Sequence, residues 1–220
     1  MQNTEYSAIK VQAAGREWTL LRPADLETLW NAITDEEFTE DERLPYWVEL
    51  WPASIALANW LALRKDDING NFCLDLGCGL GLTAMAASMC GAKVVAVDYE
   101  KAALDFACLN VHENAVPAPL WTVADWRQPA FAAHKFPFIW GGDIMYERRF
   151  VTPVLDCIEY ALAPGGKVWL AEPNRNVYDD FRAALIKRGW SSVKVNTSMV
   201  DPLHVQKSKV TVNLWELTHE

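Results

Sequence analysis

Asp75, three glycines at alternate positions (Gly77, Gly79, Gly81) and Asp98 are the residues whose types and spacing most directly imply a ligand. They sit in a run that reads strand, turn, helix: Phe72 to Leu76 is apolar around one acid, and Leu82 to Met89 consists of strong helix formers without Gly or Pro. Glycine removes Cβ where a backbone turns tightly against a ligand, and the helix behind it offers unpaired N–H groups to a polar or anionic group. About 20 residues on, Ala92 to Val97 is an apolar run ending in Asp98, where an acid at a strand tip can accept from ribose hydroxyls. The spacing departs from the Gly-x-Gly-x-x-Gly dinucleotide fingerprint, since residue 82 is Leu. Asp75 would repel a pyrophosphate and attract an ammonium group. The plainer alternative is that Asp75 caps a turn and Asp98 caps the helix that starts at Glu100.

A second cluster follows the apolar run Phe136 to Trp140, as Gly141-Gly142-Asp143-Ile144-Met145-Tyr146. Strand ends on one side of an open parallel sheet converge on a crevice, so Asp143 and Tyr146 are the catalytic candidates. An Asp that caps a helix near Glu147 is compatible with that role. A third cluster, Tyr46, Trp47 and Trp51 around Glu49, is either aromatic core packing or a wall around a cationic group.

These residues need elements to hold them. Ala8 to Val11 and Glu17 to Leu21 flank Ala14-Gly15 as a hairpin, followed by a short helix near Ala24 to Ile33 and an acidic linker, Asp35 to Arg43. Trp51-Pro52 opens a densely apolar helix reaching Leu63. Beyond Asp98 the pattern gives a helix over Glu100 to Glu113, a strand over Pro119 to Val123 and a helix over Phe150 to Leu162. Ala163 to Gly166 reads as a turn before a strand at Lys167 to Ala171, and Val177 to Arg188 as a helix ended by Gly189. Ser192 to Thr197 and Val210 to Leu217 then alternate as two strands with no helix between, joined by a loop holding His204.

Composition bounds the function. Hydrophobic residues make up 51% and charged residues 22% of 220, enough for one sizeable domain. The net charge of −9 argues against a nucleic-acid partner. The absence of a long apolar run argues against a membrane span, and the polar N-terminus lacks a signal-peptide pattern, so a cytoplasmic location is expected. The five cysteines form no Cys-x-x-Cys pair and read as reduced core residues, Cys78 included.

Asp75 to Gly81, with Asp98, resembles the first motif of the class I, seven-stranded S-adenosylmethionine-dependent methyltransferases. The resemblance implies that the glycine loop holds the methionine part of the cofactor and Asp98 its ribose. It also places Asp125 and Trp126, after the third strand of the sheet, beside the adenine, although Asp125 alone reads equally as a turn cap. Trp51-Pro52-Ala53-Ser54 before an apolar helix is similar to methyltransferase family 16, in which the matching tryptophan contacts the cofactor. That group also carries Asp-x-x-Tyr, matched by Asp143 and Tyr146, with Gly142 near the cofactor. Pro45-Tyr46-Trp47 resembles the branch acting on the β-subunit of electron transfer flavoprotein.

The expected fold is therefore α/β, Rossmann-like: a seven-stranded mostly parallel sheet with an antiparallel C-terminal hairpin, helices on both faces, and an N-terminal extension over the crevice mouth. Residues 1–43 form that extension and residues 44–220 the catalytic domain. The implied reaction is transfer of a methyl group to an amine, chiefly a protein lysine, with no metal. Asp143 would orient the nitrogen, Tyr146 shape the pocket, and Glu49 serve as a second acceptor. Small-amine methylation, a cofactor-binding protein without turnover and a nicotinamide dehydrogenase are the alternatives, the last disfavoured by Asp75 and the glycine spacing.

Overall fold

A computed structural model of the chain describes residues 6–24, 45–201 and 208–219. The body of the expected helix near Ala24 to Ile33, the acidic linker Asp35 to Arg43 and His204 lie outside the described residues.

The N-terminal hairpin forms as expected from β1 (Tyr6–Ala13) and β2 (Arg16–Pro23). A single sheet takes the remaining strands: β3 (Phe72–Leu76), β4 (Lys93–Asp98), β5 (Leu120–Val123), β6 (Phe136–Gly142), β7 (Leu162–Glu172), β8 (Trp190–Val200) and β9 (Val210–His219). Their order is β5-β4-β3-β6-β7-β9-β8, with the first five parallel and β9 antiparallel to both β7 and β8. β3 is central because its connections first run outward to β4 and β5 and then return to β6 on the other side. That reversal leaves a crevice beyond the carboxyl ends of β3 and β6, where an open sheet takes its ligand.

Helices cover both faces. α1 (Pro52–Leu63), the one-turn α2 (Lys65–Ile68), α3 (Leu82–Met89) and α4 (Lys101–Asn114) lie on one side. α5 (Val151–Ala161) and α6 (Val177–Lys187) lie on the other. Pro52 occupies the first helical position of α1, where its missing N–H costs nothing and its fixed φ suits the helix. Seven of the twelve residues of α1 are buried, so it is apolar nearly all round and sandwiched rather than amphipathic. No helix among the described residues is long and apolar enough to cross a membrane.

Two expectations are corrected. The residues Ala163 to Gly166 are not a free turn before the next strand, because β7 already begins at Leu162. Pairing jumps from Phe136↔Leu162 to Phe138↔Lys167, so those four residues bulge out of the ladder, with Gly165 at φ +70°. The hairpin of the expected N-terminal extension, in turn, does not line the crevice, and residues 25–43 of that extension lie outside the described residues. It packs on helices, with Trp18 and Leu20 fully buried, and none of residues 6–24 lines the cleft. Its backbone is bonded by side chains beneath it: Ala14 N to Asn59 Oδ1 at 2.7 Å, Thr19 N to Asn114 Oδ1 at 2.9 Å and Leu21 N to Asn110 Oδ1 at 2.6 Å.

Candidate active site

The glycine loop is shaped by three left-handed residues, Gly77 (φ +68°), Gly79 (+50°) and Gly81 (+88°). Gly77 and Cys78 both donate N–H to the carbonyl of Val97, which pins the loop across the end of β4. A Cβ on Gly79 would meet only the Trp47 carbonyl oxygen, at 3.7 Å, so its backbone is open to the cleft. Gly81 is different. A Cβ there would strike the Trp121 ring at 2.9 Å and the Ala107 methyl at 3.0 Å, and Gly81 does not line the cleft. Its lack of a side chain serves packing rather than ligand contact.

The two acids of this unit also part company. Asp98 lines the cleft and accepts backbone N–H groups on both oxygens, from Gly79 at 2.8 Å and Glu100 at 3.0 Å. Burial pushes its carboxyl up to about 6 against those donors. Asp75 is 1% exposed and stands below the loop, outside the cleft lining. Its Oδ2 accepts the Thr83 hydroxyl at 2.6 Å, which ties β3 to the first turn of α3. The expected direct contact of the Asp75 side chain with a ligand ammonium is thus replaced by a structural one. Burial pushes this acid up to about 7, a shift that the Thr83 hydroxyl partly offsets.

After β5, Asp125 Oδ1 accepts the Arg127 N–H at 2.8 Å, and the Arg127 guanidinium pairs with the same carboxylate at 2.7 Å. The turn-cap reading of Asp125 holds, and the same residue lines the cleft, which leaves its place beside the adenine compatible with the geometry. Trp126 lines it too, edge-on to Phe150 with ring centroids 5.3 Å apart. Tyr99 and Glu100 complete that wall.

At the other end, Gly142 closes against α1: a Cβ would lie 3.0 Å from Ser54 Oγ and 3.3 Å from its backbone. Asp143 follows at φ +57°, its N–H held by the Ala171 carbonyl at 2.8 Å. Its carboxylate does not cap a helix, since the next element is a short 3-10 turn, Arg148–Phe150, flanked by Glu147. It is instead 6% exposed and gripped by Arg175 from the turn after β7. Burial pushes the Asp143 carboxyl up, and Arg175 pulls it back. Tyr146 sets its ring against Tyr46 and Phe150, each at 5.1 Å, and burial holds its hydroxyl well above the usual phenol range. Trp51 donates Nε1 to the Tyr46 carbonyl at 2.9 Å, which fixes the two rings 6.1 Å apart. Glu49 lines the cleft and is paired with Arg22 of the hairpin at 2.6 Å.

One cleft therefore gathers Trp51, Gly77, Gly79, Asp98, Asp125, Trp126, Gly142, Asp143 and Tyr146, and leaves Asp75 and Gly81 beneath it. Arg175 and Tyr99 were not legible as site residues. Arg175 follows Glu172-Pro173-Asn174 in an unpatterned turn, and only its meeting with Asp143, 32 residues earlier, marks it.

Comparison with known proteins agrees with this geometry. Residues 73–166 match the family model described as a methyltransferase domain. The chain is 26% identical over 166 residues to protein N-lysine methyltransferase METTL21A of Mus musculus, covering 73% of this chain and 76% of that one. It is 33% identical over 136 residues to the electron transfer flavoprotein beta subunit lysine methyltransferase of Rattus norvegicus, covering 60% of this chain but only 51% of that protein. Among solved structures, the magnesium protoporphyrin IX methyltransferase of Synechocystis, with bound SAM, superposes with a TM-score of 0.61 at 16% identity, covering 90% of this chain and 92% of that one. The T. thermophilus rRNA methyltransferase RsmC in complex with AdoMet and guanosine gives 0.60 at 19% identity, covering 94% of this chain and 50% of that one. Residues 73–166 match a methyltransferase domain, and the chain around them has the class I methyltransferase fold.

Proposed function

We propose that this enzyme methylates the side-chain amine of a lysine on a protein partner. The observation that carries the reading is a cleft whose lining joins the Asp143 carboxylate with the packed rings of Tyr46, Trp51 and Tyr146. A carboxylate sharing a cleft with aromatic rings packed edge to face suits a long aliphatic side chain ending in a nitrogen. The two relatives above, both named as lysine methyltransferases, support the same acceptor class.

S-adenosylmethionine, when bound, supplies a methyl group already activated by its sulfonium. The donor and acceptor set suits it. Asp98 would accept from the ribose hydroxyls, with Asp125 and Trp126 bordering the base. The bare backbone of Gly77 and Gly79, with the N–H end of α3, would face the methionine part. Trp51 and Gly142 would flank it near the acceptor.

The chain's own task is then to hold a nitrogen lone pair in line with the methyl carbon and to keep water out. Asp143 accepts an N–H from the amine and so aims the lone pair. Tyr146 walls the channel. Its hydroxyl keeps its proton across the working pH range, so it is not a base. Glu49, joined to Arg22, also lines the cleft and would serve as a second acceptor for an incoming cation.

Incubating purified protein with radiolabelled S-adenosylmethionine and lysate of its own host tests the reading, with Asp143→Ala as the paired control. A discrete labelled protein, lost in the mutant and carrying methyl-lysine by mass spectrometry, is the expected result. Label confined to small molecules would move the assignment to a small amine.

A further inference from the structure

Asp143 does not meet the cleft as a bare anion. Arg175 donates Nε to Oδ1 at 2.5 Å and Nη2 to Oδ2 at 2.7 Å, a two-pronged grip on the carboxylate. Its guanidinium carbon also lies 5.9 Å from the centre of the Trp51 ring. The grip is itself braced. Arg175 N donates to Glu172 Oε2 at 2.9 Å, while Glu172 Oε1 accepts Asn213 Nδ2 at 2.9 Å and Trp215 Nε1 at 3.1 Å. Asn213 Nδ2 bonds Asn174 Oδ1 as well, at 2.6 Å, with Asn174 held in the left-handed region at φ +57°. A turn fixed by this much buried polar bonding sets where the guanidinium can be.

An amine attacks only when neutral, whereas a lone carboxylate holds it as ammonium. We propose that Arg175 is a positioning residue that makes the acceptor site select the neutral lysine amine. Its charge cancels that of Asp143, and its fork turns the carboxylate so that the remaining lone pairs accept an amine N–H. The inference rests on the lysine reading above. The acceptor ammonium gives one proton to bulk water, the freed lone pair forms the nitrogen–carbon bond as the carbon–sulfur bond breaks toward sulfur, and the product leaves as methylammonium. Asp143 takes up no proton at any stage.

The other ionisable groups around the clamp do not replace Arg175. Glu172 lies behind it on three N–H donors. Tyr46 faces the guanidinium. Tyr146 is flanked by Glu147 and Arg149, which pair with each other at 2.7 Å, and is influenced by Asp98 along the cleft.

The test compares wild type, Arg175→Gln and Arg175→Lys by the pH dependence of kcat, using the acceptor protein purified from the labelled lysate band at saturating concentration. Without the guanidinium, Asp143 stabilises the bound ammonium. The ascending limb in Arg175→Gln should therefore move to higher pH by on the order of one unit, with activity recovering toward wild type on the alkaline side. Arg175→Lys, which keeps the charge, should move much less. Profiles that fall in parallel at every pH would overturn the inference, because they are what a purely structural loss gives. The second measurement needs no acceptor: in Asp-carboxyl 13C-labelled apoprotein, the Asp143 titration should rise in Arg175→Gln, and an unchanged titration overturns the inference. If the wild type labels no protein, the lysine reading fails on its own, and the carboxyl titration still decides the clamp.

Discussion

Asp75 and Trp140 stand opposite each other in the β3–β6 ladder, where the Trp140 indole N–H acts on a buried carboxylate whose Oδ2 is held by the Thr83 hydroxyl. Burial outweighs both donors. The fold therefore tolerates the neutral acid better than the carboxylate, and its pKa rises from 3.8 to about 7. The sign follows from proton uptake: between those values the folded chain binds more protons than the unfolded one, so stability falls as pH rises. The penalty is absent below 3.8 and complete above about 7. Asp75→Asn keeps an acceptor for Thr83 and carries no charge. It should be more stable than wild type at pH 8 by roughly 2 to 4 kcal/mol and nearly equal to it in acid. Urea unfolding across pH 4–8 decides this. Asp98, raised to about 6 in the same direction, should leave a smaller residual slope in the variant.

The glycines of the loop should separate stability from ligand binding. Gly81→Ala brings a methyl group to 2.9 Å from the Trp121 ring at a φ of +88°, so it should lower stability by about 2 kcal/mol or more. Gly79→Ala meets nothing closer than 3.7 Å and should cost about 1 kcal/mol from its left-handed backbone alone. Its methyl, however, enters the cleft. Calorimetric titration with S-adenosylhomocysteine should show at least a tenfold loss of affinity for Gly79→Ala, and thermal melting should show the larger drop for Gly81→Ala. The reverse ordering would refute the division of labour between them.

Tyr146 should act through its ring. Tyr146→Phe keeps the contacts with Tyr46 and Phe150 and should retain kcat within a few-fold, whereas Tyr146→Ala opens the wall and should lose tenfold or more. A large loss in the Phe variant at neutral pH would assign the hydroxyl a role that its buried setting argues against.

Local pattern carried much of this architecture. Glycine spacing, the apolar runs ending in Asp98 and Trp140, Pro52 at a helix start and the alternation of the final pair of strands are each written within a few residues, and each was readable. What escaped the sequence was non-local. Asp75 precedes the glycines in the manner of a ligand contact, yet the direction of its side chain depends on Thr83 in the next helix. Arg175 has no local signature, because its meaning lies in the approach of two loops that follow different strands. Ala163 to Gly166 carry all the marks of a turn, yet the Phe136 to Phe138 segment of β6 holds both of their flanks in register and keeps them in the β6–β7 ladder as a bulge.

Asn110 gives the N-terminal hairpin a stake in the glycine loop. Its amide accepts the Leu21 N–H and donates to the Leu21 carbonyl at 3.2 Å and the Leu80 carbonyl at 3.0 Å. One buried side chain thus spans two segments that are remote in sequence, one of them in the cleft wall. Loss of that amide should therefore loosen the hairpin and the Leu80 turn together.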